Sequence, residues 1–241
     1  MRQIMNINKA FSFPFEDKQW ISKLGIGAVI SMVPILNFAW SGYLVGILRN
    51  VVSNEEEPLP HWDNFEKKFM DGLILFGAGL VYSLPILLVI CLPMGIMGIS
   101  GAVSGNGDLQ DVGEVIAGVG GFLGLCLGGL FFVYAIFLSI VYPAILVVFA
   151  REGTFASCFK FREVINLISK NAGPFFTAWG ISLVAALGVG FVAGIVSAVL
   201  GWIPCVGWVA ALVISMGSTV YATAVYAHLF GQFGAMAVSQ N

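Results

Sequence analysis

Charge is confined to a few short stretches of this chain: three charged residues lie between Gly72 and Arg151, and none follows Lys170. A helix or strand in water carries charge along its outer face, so uncharged stretches of this length belong in a bilayer. Composition agrees. Of the 241 residues, 59% are hydrophobic and 10% charged, whereas a soluble domain carries about 25% charged residues. The net charge of −2 gives no basic surface for a nucleic-acid backbone, so no nucleic-acid partner is expected.

The expected fold is an all-α integral membrane protein forming one polytopic domain, 1–241. Four segments reach the roughly 20 apolar residues that a crossing needs: 73–99, 115–150, 174–200 and 206–233. The second is longer than a span, so Pro143 is expected to kink it or its end to overhang into the interface. All eleven Lys and Arg fall before residue 24, within 49–68, or within 151–170, whereas 100–114 carries only Asp108, Asp111 and Glu114. The positive-inside rule makes the basic segments and both termini cytoplasmic and 100–114 an external acidic loop.

With both its ends inside, 24–48 is read as a short helical hairpin turning at Pro34-Ile35-Leu36-Asn37. A single span is the alternative, and it would put a basic N-terminus outside. No small-residue cleavage site follows this first apolar stretch, so residues 1–23 are expected to remain as an interfacial segment.

Three aromatic amphipathic stretches precede apolar runs: Phe11 to Trp20, Leu59 to Phe69 (in the cytoplasmic loop 49–72), and Thr154 to Lys170 (in the segment 151–173). Aromatic, apolar and basic residues in alternation suit helices lying in the interface, either as anchors or as surfaces that sense the membrane or dock a partner.

Small residues recur four apart within the apolar runs. One row is Gly120, Gly124 and Gly128; a second is Ser182, Ala186, Gly190, Gly194 and Ala198. The longest, glycine-zipper-like, is Gly207, Ala211, Ser215, Thr219, Thr223, Ala227, Gly231 and Ala235. Such rows let helix backbones approach closely, either within the chain or between copies of it.

Chemistry-bearing patterns are sparse. No Asp, Glu, Lys or Arg lies inside a span, which argues against ion-coupled transport. His228 reads as a satisfied interfacial histidine. His61, with Asp63 and Glu55-Glu56-Glu57, matches no metal-ligand spacing, so no metal is expected. Asp108, Asp111 and Glu114 read as a solvated loop, or as an acidic ring in an oligomer. Gly105-Asn106-Gly107 reads as a turn. The cysteines (Cys91, Cys126, Cys158, Cys205) show no paired spacing and read as buried thiols. No cofactor or catalytic constellation is expected.

Phe11-Ser12-Phe13-Pro14-Phe15-Glu16-Asp17 with Trp20, followed by Pro34, Gly42-Tyr43, Arg49, Leu59-Pro60, Trp62, Phe65 and Asp71-Gly72, resembles a multi-pass prokaryotic membrane family catalogued as domain of unknown function 4013. The resemblance covers most of the chain and is most specific over its first 72 residues or so. It implies a small plasma-membrane protein of a prokaryote and supplies no catalytic residues. Local chemistry suggests roles for three motif residues: Pro14 breaking an interfacial helix, Trp62 anchoring at headgroup depth, and Asp71 capping a helix that starts at Gly72.

The resulting expectation is a non-enzymatic membrane protein with a structural, assembly or accessory role. It would sit in the lipid bilayer and join a homo-oligomer or a larger membrane complex through its small-residue faces. An oligomeric pore or transporter for a small neutral solute or ion is the alternative.

Overall fold

A computed structural model describes residues 5–105 and 109–238. Every regular element among them is helical. Helix α1 (Ile7–Glu16) starts where the Asn6 side chain accepts from the Lys9 amide at 3.0 Å, and Pro14 lies in its last turns. The chain therefore passes Pro14 in helical form and leaves the helix only at Asp17, rather than breaking at the proline. Helices α2 (Trp20–Met32) and α3 (Asn37–Val52) pack against each other across a turn containing Pro34, which makes the expected hairpin.

After an irregular stretch, α4 (Phe65–Ser104) and α5 (Gln110–Glu152) follow. Gly153, at φ +68°, donates to the Phe149 carbonyl at 2.7 Å and ends α5 in the left-handed conformation that glycine adopts without penalty. A 3₁₀ segment (Phe155–Phe159) leads into α6 (Phe161–Lys170), α7 (Ala172–Leu200) and α8 (Val206–Val238).

Four of these helices are long and apolar enough to cross a membrane, and α2 is a shorter apolar helix. The chain is a multi-pass helical membrane protein. Its long helices outrun the predicted spans. At 1.5 Å per residue the 43 residues of α5 reach about 65 Å, against roughly 30 Å of hydrocarbon. Helix α5 also continues nine residues past Pro143. Hydropathy marks only the part of a helix that fits hydrocarbon, whereas propagation adds one hydrogen bond per residue and carries the helix on into polar sequence.

Two boundaries change as a result. The external loop expected over 100–114 is mostly helical, with Ser104 ending α4 and Gln110 beginning α5. Of its features, Asn106, Gly107 and Asp108 lie outside the described residues. The amphipathic stretch Leu59 to Phe69 is not a separate helix: Phe65 to Phe69 form the start of α4, and the residues before them are non-helical.

The chain forms two compact units, one of residues 1–76 with 142–241 and one of residues 77–141. In the first, α7 and α8 form the most extensive pair, and α1, α2 and α3 pack on α8. Its core holds Tyr43, Ile47, Ile145, Phe149, Phe175 and Phe230, all fully buried. In the second, the Ser100 hydroxyl donates to the Gly113 carbonyl at 2.7 Å and the Tyr134 hydroxyl to the Tyr82 carbonyl at 2.9 Å. Most large apolar side chains of that unit face outward, Leu125 at 80% exposure, as hydrocarbon-facing residues do.

Candidate functional site

Asp17, in the turn between α1 and α2, and Lys23, on the first turns of α2, form an ion pair at 2.6 Å with both side chains about 4% exposed. Two charges removed from water need their remaining polar capacity filled. The Lys23 ammonium also donates to the Leu59 carbonyl at 3.0 Å, and Asp17 accepts from the Gln19 amide at 2.7 Å. Burial works to raise the Asp17 carboxyl. The Lys23 ammonium and the Gln19 amide outweigh it and hold the group below the usual carboxylate range.

The same lysine's carbonyl accepts from the Trp62 indole at 2.8 Å. Trp62 then stacks on Tyr43 at 4.6 Å, and Tyr43 on Trp40 at 5.2 Å, both pairs within 16° of parallel. The Tyr43 hydroxyl is buried and has no hydrogen-bond partner among the described residues. Gly27 lies beneath the Trp40 ring, where a side chain would collide with it.

On the other side of α3, the Arg49 guanidinium pairs with Asp71 on α4. Its Nε donates to the Ala150 carbonyl at 2.9 Å, and it lies 5.9 Å from the centre of the Phe149 ring. Ala150 is in the last turn of α5, where carbonyls lack intrahelical donors and the helix dipole favours a cation. One arginine therefore ties three helices. Between these clusters α3 crosses α4 with the backbones in direct contact. A Cβ on Gly42 would strike the Lys68 carbonyl, and one on Gly72 would strike the Phe38 carbonyl. Its charged groups address one another and backbone carbonyls, the arrangement of a clamp that holds helices in register.

The family model described as "Protein of unknown function (DUF4013)" matches residues 26–202. The chain belongs to the DUF4013 family. No curated protein and no solved structure matches it.

The matched range of this DUF4013 member takes in Pro34, Gly42, Tyr43, Arg49, Pro60, Trp62, Asp71 and Gly72 and begins after Pro14, Phe15, Asp17 and Trp20. The clamp draws on both groups. Pro60 packs 2.9 Å from where a Gly46 side chain would begin, and Phe15 meets the Trp20 ring edge-on at 5.0 Å. Pro14 is buried and Pro34 exposed in its turn.

The Trp62 ring lies on Tyr43 and its indole N–H is taken by the Lys23 carbonyl. A further expected role is corrected. Asp71 caps no helix, since α4 begins six residues earlier at Phe65, and it serves Arg49 instead. Lys23 was legible only as one more cytoplasmic cation. Its apolar neighbours Ile21 and Leu24 were the available sign of burial.

The three small-residue rows are divided by the fold. Gly120 lies 3.0 Å from Ile96 at its Cβ position and Gly124 3.7 Å from Pro93, while Gly128 meets nothing within 4 Å. On α7, Ser182 is buried, but Ala186, Gly190, Gly194 and Ala198 are exposed or nearly so, and Ala185 and Ala193 take the buried positions. On α8, Gly207, Ala227 and Gly231 are buried, Ala211, Thr223 and Ala235 partly so, and Ser215 and Thr219 exposed. The reason is geometric. Four residues overshoot a 3.6-residue turn by about 40°, so seven such steps wind through roughly 280°.

His228 is buried, stacked on Phe13 at 4.3 Å and 3.1 Å from the Gln232 amide, which exchanges two hydrogen bonds with the Asn6 backbone. His61 is exposed. Among the described residues no group of His, Cys, Asp or Glu is placed to hold a metal ion. Asp111 and Glu114 are exposed. Cys158 is buried, and burial pushes its thiol up to about 11. Cys91, Cys126 and Cys205 are exposed rather than buried.

Proposed function

We propose that this DUF4013 member is a non-enzymatic membrane protein with a structural, assembly or accessory role, working through transmembrane association with its own copies or with a larger complex. The observation that carries the reading is the outer face of α7. Gly180, Gly188, Gly190 and Gly194 have no atom within 4 Å of the position a side chain would take. Each glycine in a helix interior costs about 1 kcal/mol relative to alanine, and no packing among the described residues offsets that here.

Gly180 and Gly188 line a groove of about 520 Å³ whose other walls include Phe11, Ile181, Val184 and Val189. An apolar groove floored by glycine accepts a second helix at close range, where van der Waals contact and weak Cα–H hydrogen bonds supply the affinity. The clamp supports the same reading, because its charged groups are engaged in holding α2, α3, α4 and α5 together. The placement of Lys and Arg supports cytoplasmic termini, and the family resemblance supports a prokaryotic plasma membrane.

The alternative, an oligomeric pore or transporter, draws on the Ser215 and Thr219 hydroxyls exposed on α8. Native mass spectrometry of protein extracted gently from its own membrane separates the two. A stoichiometric foreign subunit, or a homo-oligomer that passes no solute in liposomes, supports the association reading. A ring of four or more copies with solute flux supports the pore. A lone monomer at native membrane abundance overturns both.

A further inference from the structure

Helix α6 divides into two faces. Phe161, Val164, Ile165, Leu167 and Ile168 occupy one arc, and Arg162, Glu163, Asn166 and Lys170 the other. Val164 and Leu167 are buried against the protein, which fixes how the helix is rolled. Phe161 and Ile165 remain 45% and 53% exposed, and Phe155 in the preceding turn 46%. An apolar edge this open, beside a charged face on a short helix between two spans, belongs at the acyl–headgroup boundary.

The charged face looks onto a cavity of about 510 Å³ whose lining includes Arg151, Lys160, Arg162, Glu163, Lys170 and Asn171. Lys160 is held between Glu152 and Glu163, and Arg151 gives one N–H to the Gly234 carbonyl at 3.0 Å. Arg162 and Lys170 have no ion-pair partner among the described residues. Four cations thus stand against two carboxylates, Glu163 in the lining and Glu152 on Lys160, a surplus of two positive charges.

We propose that this cavity binds the phosphate headgroup of an anionic phospholipid, with the acyl chains descending past Phe161 and Ile165. Guanidinium and ammonium donors match phosphate oxygens, and the surplus charge selects anionic over zwitterionic lipid. The exposed apolar edge is what commits the site to lipid, since a soluble anion would gain nothing from Phe161 and Ile165. This inference rests on α6 and the residues flanking its cavity and stands apart from the association reading.

The test compares the whole protein in nanodiscs of phosphatidylcholine with and without phosphatidylglycerol, using native mass spectrometry to count lipids retained on activation. Wild type is expected to retain phosphatidylglycerol over phosphatidylcholine. At about 1 kcal/mol per cation near an anionic surface, Arg162→Gln with Lys170→Gln is expected to lower that preference about thirtyfold. Ile165→Ser is expected to weaken retention of either lipid. Equal retention of the two lipids by wild type, or an unchanged preference in a double variant with wild-type thermal stability, overturns the proposal. So does displacement of the retained lipid by millimolar inorganic phosphate, which would mark a site for a soluble anion.

Discussion

Asp17 and Lys23 illustrate how little a residue's identity reveals of its energetic role. Each is a common surface residue, yet here both are nearly excluded from solvent and their polar atoms are occupied by each other and by the Gln19 and Leu59 backbone. Losing one partner strands the other charge, so Lys23→Met is expected to destabilise the protein by roughly 3–5 kcal/mol, with partial recovery on adding Asp17→Asn. The sign of the pH dependence follows from the lowered Asp17 carboxyl. Its contribution is fully present above the unfolded aspartate value of about 3.9 and is lost as pH falls through the lower folded value. Unfolding in mixed micelles between pH 7 and pH 2 measures both effects. A Lys23→Met variant as stable as wild type, with the same acid profile, would show that the pair carries no stability. The Arg49–Asp71 pair is a second case: both residues lie within the range that the family model matches, but their partnership appears only when α3 and α4 are placed side by side.

Among the elements, the α3–α4 crossing is the most tightly specified. Gly42 and Gly72 answer each other across it, each beneath a backbone carbonyl of the opposing helix, so neither side can yield by rotating a side chain. Gly42→Ala or Gly72→Ala is expected to cost about 3 kcal/mol or more, at the severe end of overpacking. Gly190→Ala, on the open face of α7, is expected to leave the isolated chain as stable or up to about 1 kcal/mol more so, since helix propensity then acts alone. Thermal unfolding followed by circular dichroism compares the three, and equal effects at all of them would refute the crossing geometry. The contrast explains why spacing alone pointed to other glycines. A four-residue repeat shows that small residues can align along a helix for a few turns, but it carries no information on which stretch of that spiral meets another backbone.

At the scale of the whole molecule, the distribution of charge predicts a sidedness that labelling can test. In a background with Cys91, Cys126 and Cys205 changed to serine, Ser104→Cys is expected to react with an impermeant thiol reagent added outside intact cells. Ser53→Cys is expected to react only after permeabilisation, and the reverse pattern would overturn the orientation. Membrane residence, the number of long apolar helices and the hairpin turn at Pro34 were legible in the chain itself. Each depends on local quantities: the transfer free energy of about 20 consecutive side chains, or a proline that interrupts a helix. Family membership could likewise be read from the pattern of Gly42, Arg49, Trp62 and Asp71. The clamp could not. Its partners lie far apart along the chain, Lys23 with Leu59 and Arg49 with Ala150, and such pairs exist only once helices have docked. Docking also decided which small residues are buried and left the α7 face and the α6 cavity open, because burial belongs to the packed helices together and not to any one segment's composition.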